Sequence, residues 1–296
     1  MTLNRRQFVR GAAALAAAGA ADRVRAGELE DRLDAWQRET DLVQGSVYEA
    51  YMKDGDTRGL KSLENLERAF EKVFREAQET KVGDAPAVWS VYNMGYVVKT
   101  RESLFSIDLV HRRSCEFAPL LDFALITHNH DDHYRPDFYR AMDGAKKTVV
   151  SNFLDNYGAG RGAGGYTRAE RTFRLKDVEI RTSLVDHNAY LIDFTTAFEI
   201  RVGDWLLYHS GDCSIDTKLR TTWGRPDLWL FFPMSGLDVV KSVNRVQAKR
   251  TVFGHLWELG HSAGGRLSTR LINAARDKAR SAGVEAEVPT WGDRIS

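Results

Sequence analysis

Thr127-His128-Asn129-His130-Asp131-Asp132-His133 puts three histidines and two aspartates within seven residues. Leu121-Asp122-Phe123-Ala124-Leu125-Ile126 precedes it, a short apolar run of the kind that forms a buried strand. His128 and His130 lie two apart, so in extended backbone their side chains point the same way. The chain then turns, and Asp132 and His133 can face a neighbouring position. Imidazole nitrogen and carboxylate oxygen are ligands for borderline divalent cations such as zinc. A polar loop that used its histidines only for hydrogen bonds would not need so many at the end of a strand.

The same residues, His128, His130, Asp132 and His133, form an intact His-x-His-x-Asp-His motif. In this the chain resembles the metallo-β-lactamase superfamily. The resemblance implies an αββα sandwich of class α/β, with two mixed sheets face to face, helices outside and metals at one edge. It extends from about Ala87 to Gly292. Within the superfamily the sequence looks most like the ascorbate-6-phosphate lactonase-like branch, through His187 shortly before a hairpin and the end Lys249-Arg250-Thr251-Val252-Phe253-Gly254-His255.

Carried over residue by residue, the resemblance implies His128, His130 and His187 as ligands of a first metal. Asp132, His133 and His255 would serve a second, and Asp212 would bridge the two. Asp132, Asp212 and His255 are thereby the expected catalytic residues. The implied cofactor is a pair of divalent ions, zinc first, with manganese or iron as alternatives. Asp108, at the end of Leu104-Phe105-Ser106-Ile107, matches an aspartate that supports such a site from behind its ligands. His209 precedes Asp212 by an odd number of residues, so it should face the other side of its strand. His261, six residues after His255, is a candidate substrate or oxyanion contact or else an unligated loop histidine, and Trp257, Tyr134 and Arg161 are candidate pocket residues by their nearness in sequence to expected ligands. Tyr166, in the glycine-rich run from Gly158, is a further candidate. That run lacks the spacing and strand-to-helix setting of a phosphate-binding loop.

The chain has 296 residues, with 43% hydrophobic and 28% charged, which suits an ordinary buried core. Its net charge of +1 gives no electrostatic reason to expect nucleic acid as a partner. Cys115 and Cys213 are its two cysteines, too few for a disulfide framework, and both are expected as free thiols.

Three segments are expected. Residues 1–26 resemble a twin-arginine export signal: Arg5-Arg6, then Phe8, then an alanine-rich run from Gly11 to Ala21. That implies export to the periplasm, with the twin-arginine machinery as a partner. Residues 27–84 read as a helical extension. Leu29, Leu33, Trp36, Val43, Val47 and Tyr51 mark one stripe, broken at Asp54-Gly55, and Leu63, Leu66, Phe70, Val73, Phe74 and Ala77 mark a second. They predict two helices packed on the main domain, or else a lid or dimer surface. Residues 85–296 form the domain of strands and helices.

The function these features imply is metal-dependent hydrolysis of an ester, lactone or phosphodiester, on a small-molecule substrate. An iron thiol dioxygenase keeps the same motif and is the alternative enzyme. A non-catalytic binding protein is the third reading, weakened because none of the seven expected ligands has been lost.

Overall fold

The computed structural model describes residues 28–153, 170–261 and 266–296. The export-signal segment, Arg161 and Tyr166 lie outside these residues. No helix among the described residues is long and apolar enough to cross a membrane.

Two sheets form the centre. The first has strand order β1-β2-β3-β4-β5, from Ala87–Tyr92, Gly95–Lys99, Leu104–Ile107, Phe123–Leu125 and Thr148–Val150. β1 to β3 are antiparallel, and β3 to β5 run parallel. The second runs β12-β11-β10-β9-β8-β7-β6. Its strands are β6 Thr172–Leu175, β7 Val178–Val185, β8 Thr195–Val202, β9 Trp205–His209, β10 Leu228–Phe231, β11 Arg250–Phe253 and β12 Ala286–Glu287. β9 to β12 are parallel, and β6 to β9 antiparallel.

Alternation along the strands separates the layers. Val98, Phe105 and Phe123 sit side by side across the first sheet, and Ile180, Ile200 and Leu207 across the second. All six belong to one buried cluster between the sheets. Their neighbours Val97, Ala124 and Tyr208 point outward into a second cluster shared with the helices. Both sheet faces are therefore apolar, and each needs a cover.

Helices provide it. Residues 28–41 form α1. They are followed by α2 Gly45–Asp54, α3 Lys61–Glu79, α4 Pro136–Gly144, α5 Val239–Val246 and α6 Thr269–Ser281. The buried stripe of α3, Leu63, Leu66, Phe70, Val73 and Ala77, lies over β1 and β2. Asp238 caps α5 and Ser268 caps α6, each accepting a backbone N–H from the first turn. This is the expected αββα sandwich.

The helical extension departs from its expected pattern. Two helices were expected, and three are present, because residues 42–44 interrupt the first stripe. The cause is remote in sequence. Arg266 donates to the carbonyls of Thr40 and Val43, which satisfies the end of α1 and fixes the bend. The second break occurs at Gly55, whose φ of +77° closes α2 with a bond from its N–H to the Tyr51 carbonyl.

Candidate metal centre

One rule of topology gathers the site. β3, β4, β7, β9 and β11 all point their C-terminal ends to one edge of the sandwich. Asp108 follows β3, the His/Asp run follows β4, His187 follows β7, Asp212 follows β9 and His255 follows β11. Five segments far apart in sequence thus deliver side chains to one place. The Thr196 N–H to Thr127 carbonyl bond, 2.8 Å, ties the two sheets together beside it.

The seven expected ligands form three overlapping groups whose donor atoms lie within 4.8 Å of one another: His128, His130 and His187; His128, His133 and Asp212; and Asp132, His133 and His255. Within them His128 Nε2 is 3.1 Å from His130 Nδ1, and His255 Nε2 is 3.0 Å from Asp132 Oδ2 and 3.3 Å from Asp212 Oδ2. His187 Nε2 is 3.6 Å from Asp212 Oδ2. Phe194 packs edge-on to His128 and His187 and tilted to His130, forming an apolar wall.

The electrostatics divide the histidines. Burial holds His128, His130 and His187 below the ordinary imidazole range. Burial also opposes charge on His133 and His255, but Asp212 and Asp132 outweigh it. His133 is raised well above its ordinary value, with Asp108 contributing, and His255 is pushed up to about 10. Burial likewise opposes charge on Asp132 and Asp212, yet His133 and His255 hold both carboxyls down and ionised. The centre is a compact pair of carboxylates that demands positive charge.

That donor set fits divalent cations. Five imidazoles and two carboxylates converge in a largely buried site. His133 Nε2 and Asp212 Oδ1 are 3.3 Å apart, yet neither has a hydrogen-bond partner although both are buried. Orphaned polar atoms of this kind are costly unless something else satisfies them.

The supporting residues are equally specific. Asp108 accepts from the Thr127 N–H and Oγ1–H, both at 2.7 Å, and takes His133 Nδ1 at 2.8 Å. His209 is buried, its Nδ1 accepting the Gly211 N–H and its Nε2 donating to the Met94 carbonyl. It steadies the turn that carries Asp212. Gly211 has φ +53°, and a Cβ there would come within 2.5 Å of Thr195 Cγ2.

Asn93, at the β1–β2 turn, was not foreseen from the sequence. Its Nδ2 donates to the carbonyl and Oδ2 of Asp132 at 3.1 and 3.0 Å, and its own carbonyl accepts the His255 N–H at 3.2 Å. One residue thus aligns two expected ligands. The signal available was Asn93-Met94-Gly95, a hairpin turn in which Asn takes a positive φ, here +55°.

A cleft of about 1120 Å³ opens over the centre. His261 and Tyr134 line it. His261 is held through Nδ1 by the buried carboxylate of Glu258, which raises its pKa and leaves Nε2 open. Trp257 does not line the cleft, contrary to the expected substrate contact. Its φ of +57° turns the indole into the core, where it is 1% exposed and edge-on to Trp36. Helix α2 lends the cleft Tyr48, Glu49 and Met52, so the extension walls the site. Cys115 and Cys213 are both free, and burial pushes the Cys213 thiol up to about 12.

No protein-family model matches this sequence, and no curated protein matches it. Solved structures do match in shape. Igni18, a metallo hydrolase from the hyperthermophilic archaeon Ignicoccus hospitalis, aligns at TM-score 0.53 and 17% identity over 71% of this chain and 97% of its own. The metallo-β-lactamase fold protein YhfI from Bacillus subtilis aligns at 0.52 and 14%, over 72% of this chain and 99% of its own. CmlA, a diiron β-hydroxylase from Streptomyces venezuelae, aligns at 0.51 and 15%, over 72% of this chain and 54% of its own. With two mixed sheets between helices, and this likeness in shape to proteins of at most 17% identity, the chain has the metallo-β-lactamase fold.

Proposed function

We propose that this protein is a metal-dependent hydrolase that cleaves an ester, lactone or phosphodiester. The observation that carries the reading is the overlap of the three donor groups, with His128 and His133 each shared by two and Asp212 lying among them. His128, His130 and His187 would hold one cation, Asp132, His133 and His255 a second, and Asp212 would touch both. When bound, such a pair activates water at neutral pH and polarises the scissile oxygen.

The chain's own residues account for the rest. Asp108 and Asn93 hold His133 and Asp132 in place. Phe194 excludes bulk water from the His128 side. His261, kept protonatable by Glu258, is positioned in the cleft to give a proton to the departing oxygen. Water adds to the electrophilic centre, the bond to the leaving oxygen breaks, and the products are an acid and an alcohol. The twin-arginine resemblance of residues 1–26 supports a site of action in the periplasm.

Metal content by mass spectrometry tests this reading, on protein purified without chelator or added metal and with Asp212→Ala alongside. Two zinc or manganese ions per chain, reduced in the variant, is the expected result. No metal even after reconstitution would overturn it. A second reading rests on the likeness to CmlA, because the same fold serves oxidative chemistry there. Bound iron with oxygen uptake would favour it.

A further inference from the structure

We propose that Tyr92 and Arg266 are positioning residues for His261, and that they suit it to protonate a strongly basic leaving oxygen, that of an unactivated aliphatic alcohol. This rests on the hydrolase reading of the same cleft and narrows its substrate.

His261 stands on a loop after β11, and its side chain is 60% exposed. A ring so placed loses rotamer freedom only if something holds it, and proton transfer needs it held within hydrogen-bond reach. Its anchors, Glu258, Tyr92 and Arg266, are all buried. Glu258 Oε2 accepts both the His261 N–H, at 2.6 Å, and the ring through Nδ1. Glu258 Oε1 accepts the Tyr92 hydroxyl at 3.0 Å and the Gly260 N–H at 2.6 Å. The Tyr92 oxygen in turn accepts the Leu259 N–H at 2.6 Å. One phenol on β1 thus holds both the carboxylate and the backbone of the loop. A Cβ on residue 260 would stand 2.7 Å from Glu258 Oε1, so the turn closes this tightly only on glycine.

Arg266 grips the loop from the other side. Its Nε donates to the His261 carbonyl at 3.1 Å and its Nη2 to the Leu259 carbonyl at 2.8 Å. The same guanidinium holds the carbonyls of Thr40 and Val43, between α1 and α2. Tyr48 on α2 stacks on Tyr92, ring centroids 5.9 Å apart. The helical extension therefore braces the loop that carries His261 as well as walling the cleft.

The bracing fixes which nitrogen is free to act. With Nδ1 bonded to Glu258, the charged ring keeps its second proton on Nε2, on the side of the cleft. The Glu258 bond favours that charged ring, burial and His255 oppose it, and the Asp132 charge adds to the favourable side. Water supplies the oxygen that the acid keeps. The bonding pair leaves with the alcohol oxygen, which takes the Nε2 proton, and the proton released by water restores the ring through solvent. A phenolate departs without such help, whereas an alkoxide needs it.

Ethyl and 4-nitrophenyl esters, of butyric acid and of methyl phosphate, test the inference on the metal-loaded full chain. Tyr92→Phe, Arg266→Lys and His261→Gln, each at unchanged metal content, should lower kcat/KM for the ethyl ester about tenfold or more beyond the loss for the nitrophenyl ester. Tyr92→Phe should change that ratio no further once His261 is replaced. A merely structural role lowers both rates alike. NMR of protein labelled with 15N-histidine adds a readout independent of turnover: the His261 Nδ1–H should give a sharp downfield signal that Tyr92→Phe and Arg266→Lys broaden. Equal losses for the two leaving groups, or a His261 signal unmoved by both variants, would overturn the inference and leave the hydrolase intact. A broadened signal with no ester cleaved by the wild type would support the positioning roles and count against the hydrolase.

Discussion

Asp108 grips His133 through Nδ1 at 2.8 Å while its other oxygen takes the Thr127 N–H at 2.7 Å. The carboxylate therefore sets the ring's tautomer and points Nε2 at the centre. It also locks the strand end that launches the motif. Asp108 has φ +45°, a backbone state that Asn tolerates nearly as well as any residue except glycine.

Asp108→Asn should keep the fold and weaken metal binding. Loss of a carboxylate behind a ligating histidine typically costs roughly 10–100-fold in metal affinity. Competition with a chromophoric chelator measures it. Wild-type affinity in the variant would show that Asp108 does not act through His133.

Gly211→Ala should destabilise the protein and displace Asp212. The left-handed φ costs about 1–2 kcal/mol for alanine, and the clash with Thr195 Cγ2 adds to it. A urea midpoint unchanged from wild type would contradict this. The neighbouring Thr195→Ala substitution should recover part of the loss by removing the methyl that clashes.

Arg266→Ala should release the α1–α2 junction from the body. Four carbonyls lose their donor, and the buried ones cannot all turn to water. About 3 kcal/mol of stability should go. Limited proteolysis should then cut near residues 42–44 before the sandwich is touched. Arg266→Lys, with three donors on one nitrogen, should recover only part of the loss.

His111 should make the fold acid-sensitive. Its ring stacks on Phe70 at 4.1 Å, its Nε2 meets the Tyr51 hydroxyl, and Glu67, Arg112 and Arg113 surround it. Burial pushes its pKa down to about 3, with Glu67 opposing. The unfolded chain, with an ordinary value near 6.5, binds the proton first as pH falls. This contribution to stability is whole above about pH 6.5 and is lost as pH drops toward about 3, at roughly 1.4 kcal/mol per pH unit. Urea denaturation of metal-saturated protein from pH 7.5 to 5.5 should show the slope, and His111→Phe should flatten it.

Local chemistry made much of the centre legible. A strand-end His/Asp run needs only its own spacing to present a cluster of donors. The turns at Gly55 and Gly203 also show in the chain, because glycine is the residue that takes φ +77° and +57° without strain. Asp108, His187, Asp212 and His255 each end a readable strand, but only the resemblance joined them to the cluster. Their convergence at one sandwich edge depends on strand order and direction, which short stretches do not encode.

What escaped the sequence was non-local. The bend between α1 and α2 follows from a guanidinium more than 220 residues away. Asn93 aligns Asp132 across 39 residues. Trp257 sits two residues after His255, yet a positive φ sends its ring into the core beside Trp36. The sequence by itself determined that the run from His128 to His133 could hold a metal, because ligand chemistry and strand period are properties of a few adjacent side chains. Only the tertiary structure decided what surrounds that centre, because the wall that α2 gives the cleft and the core position of Trp257 beside Trp36 arise from contacts between segments that the chain keeps far apart.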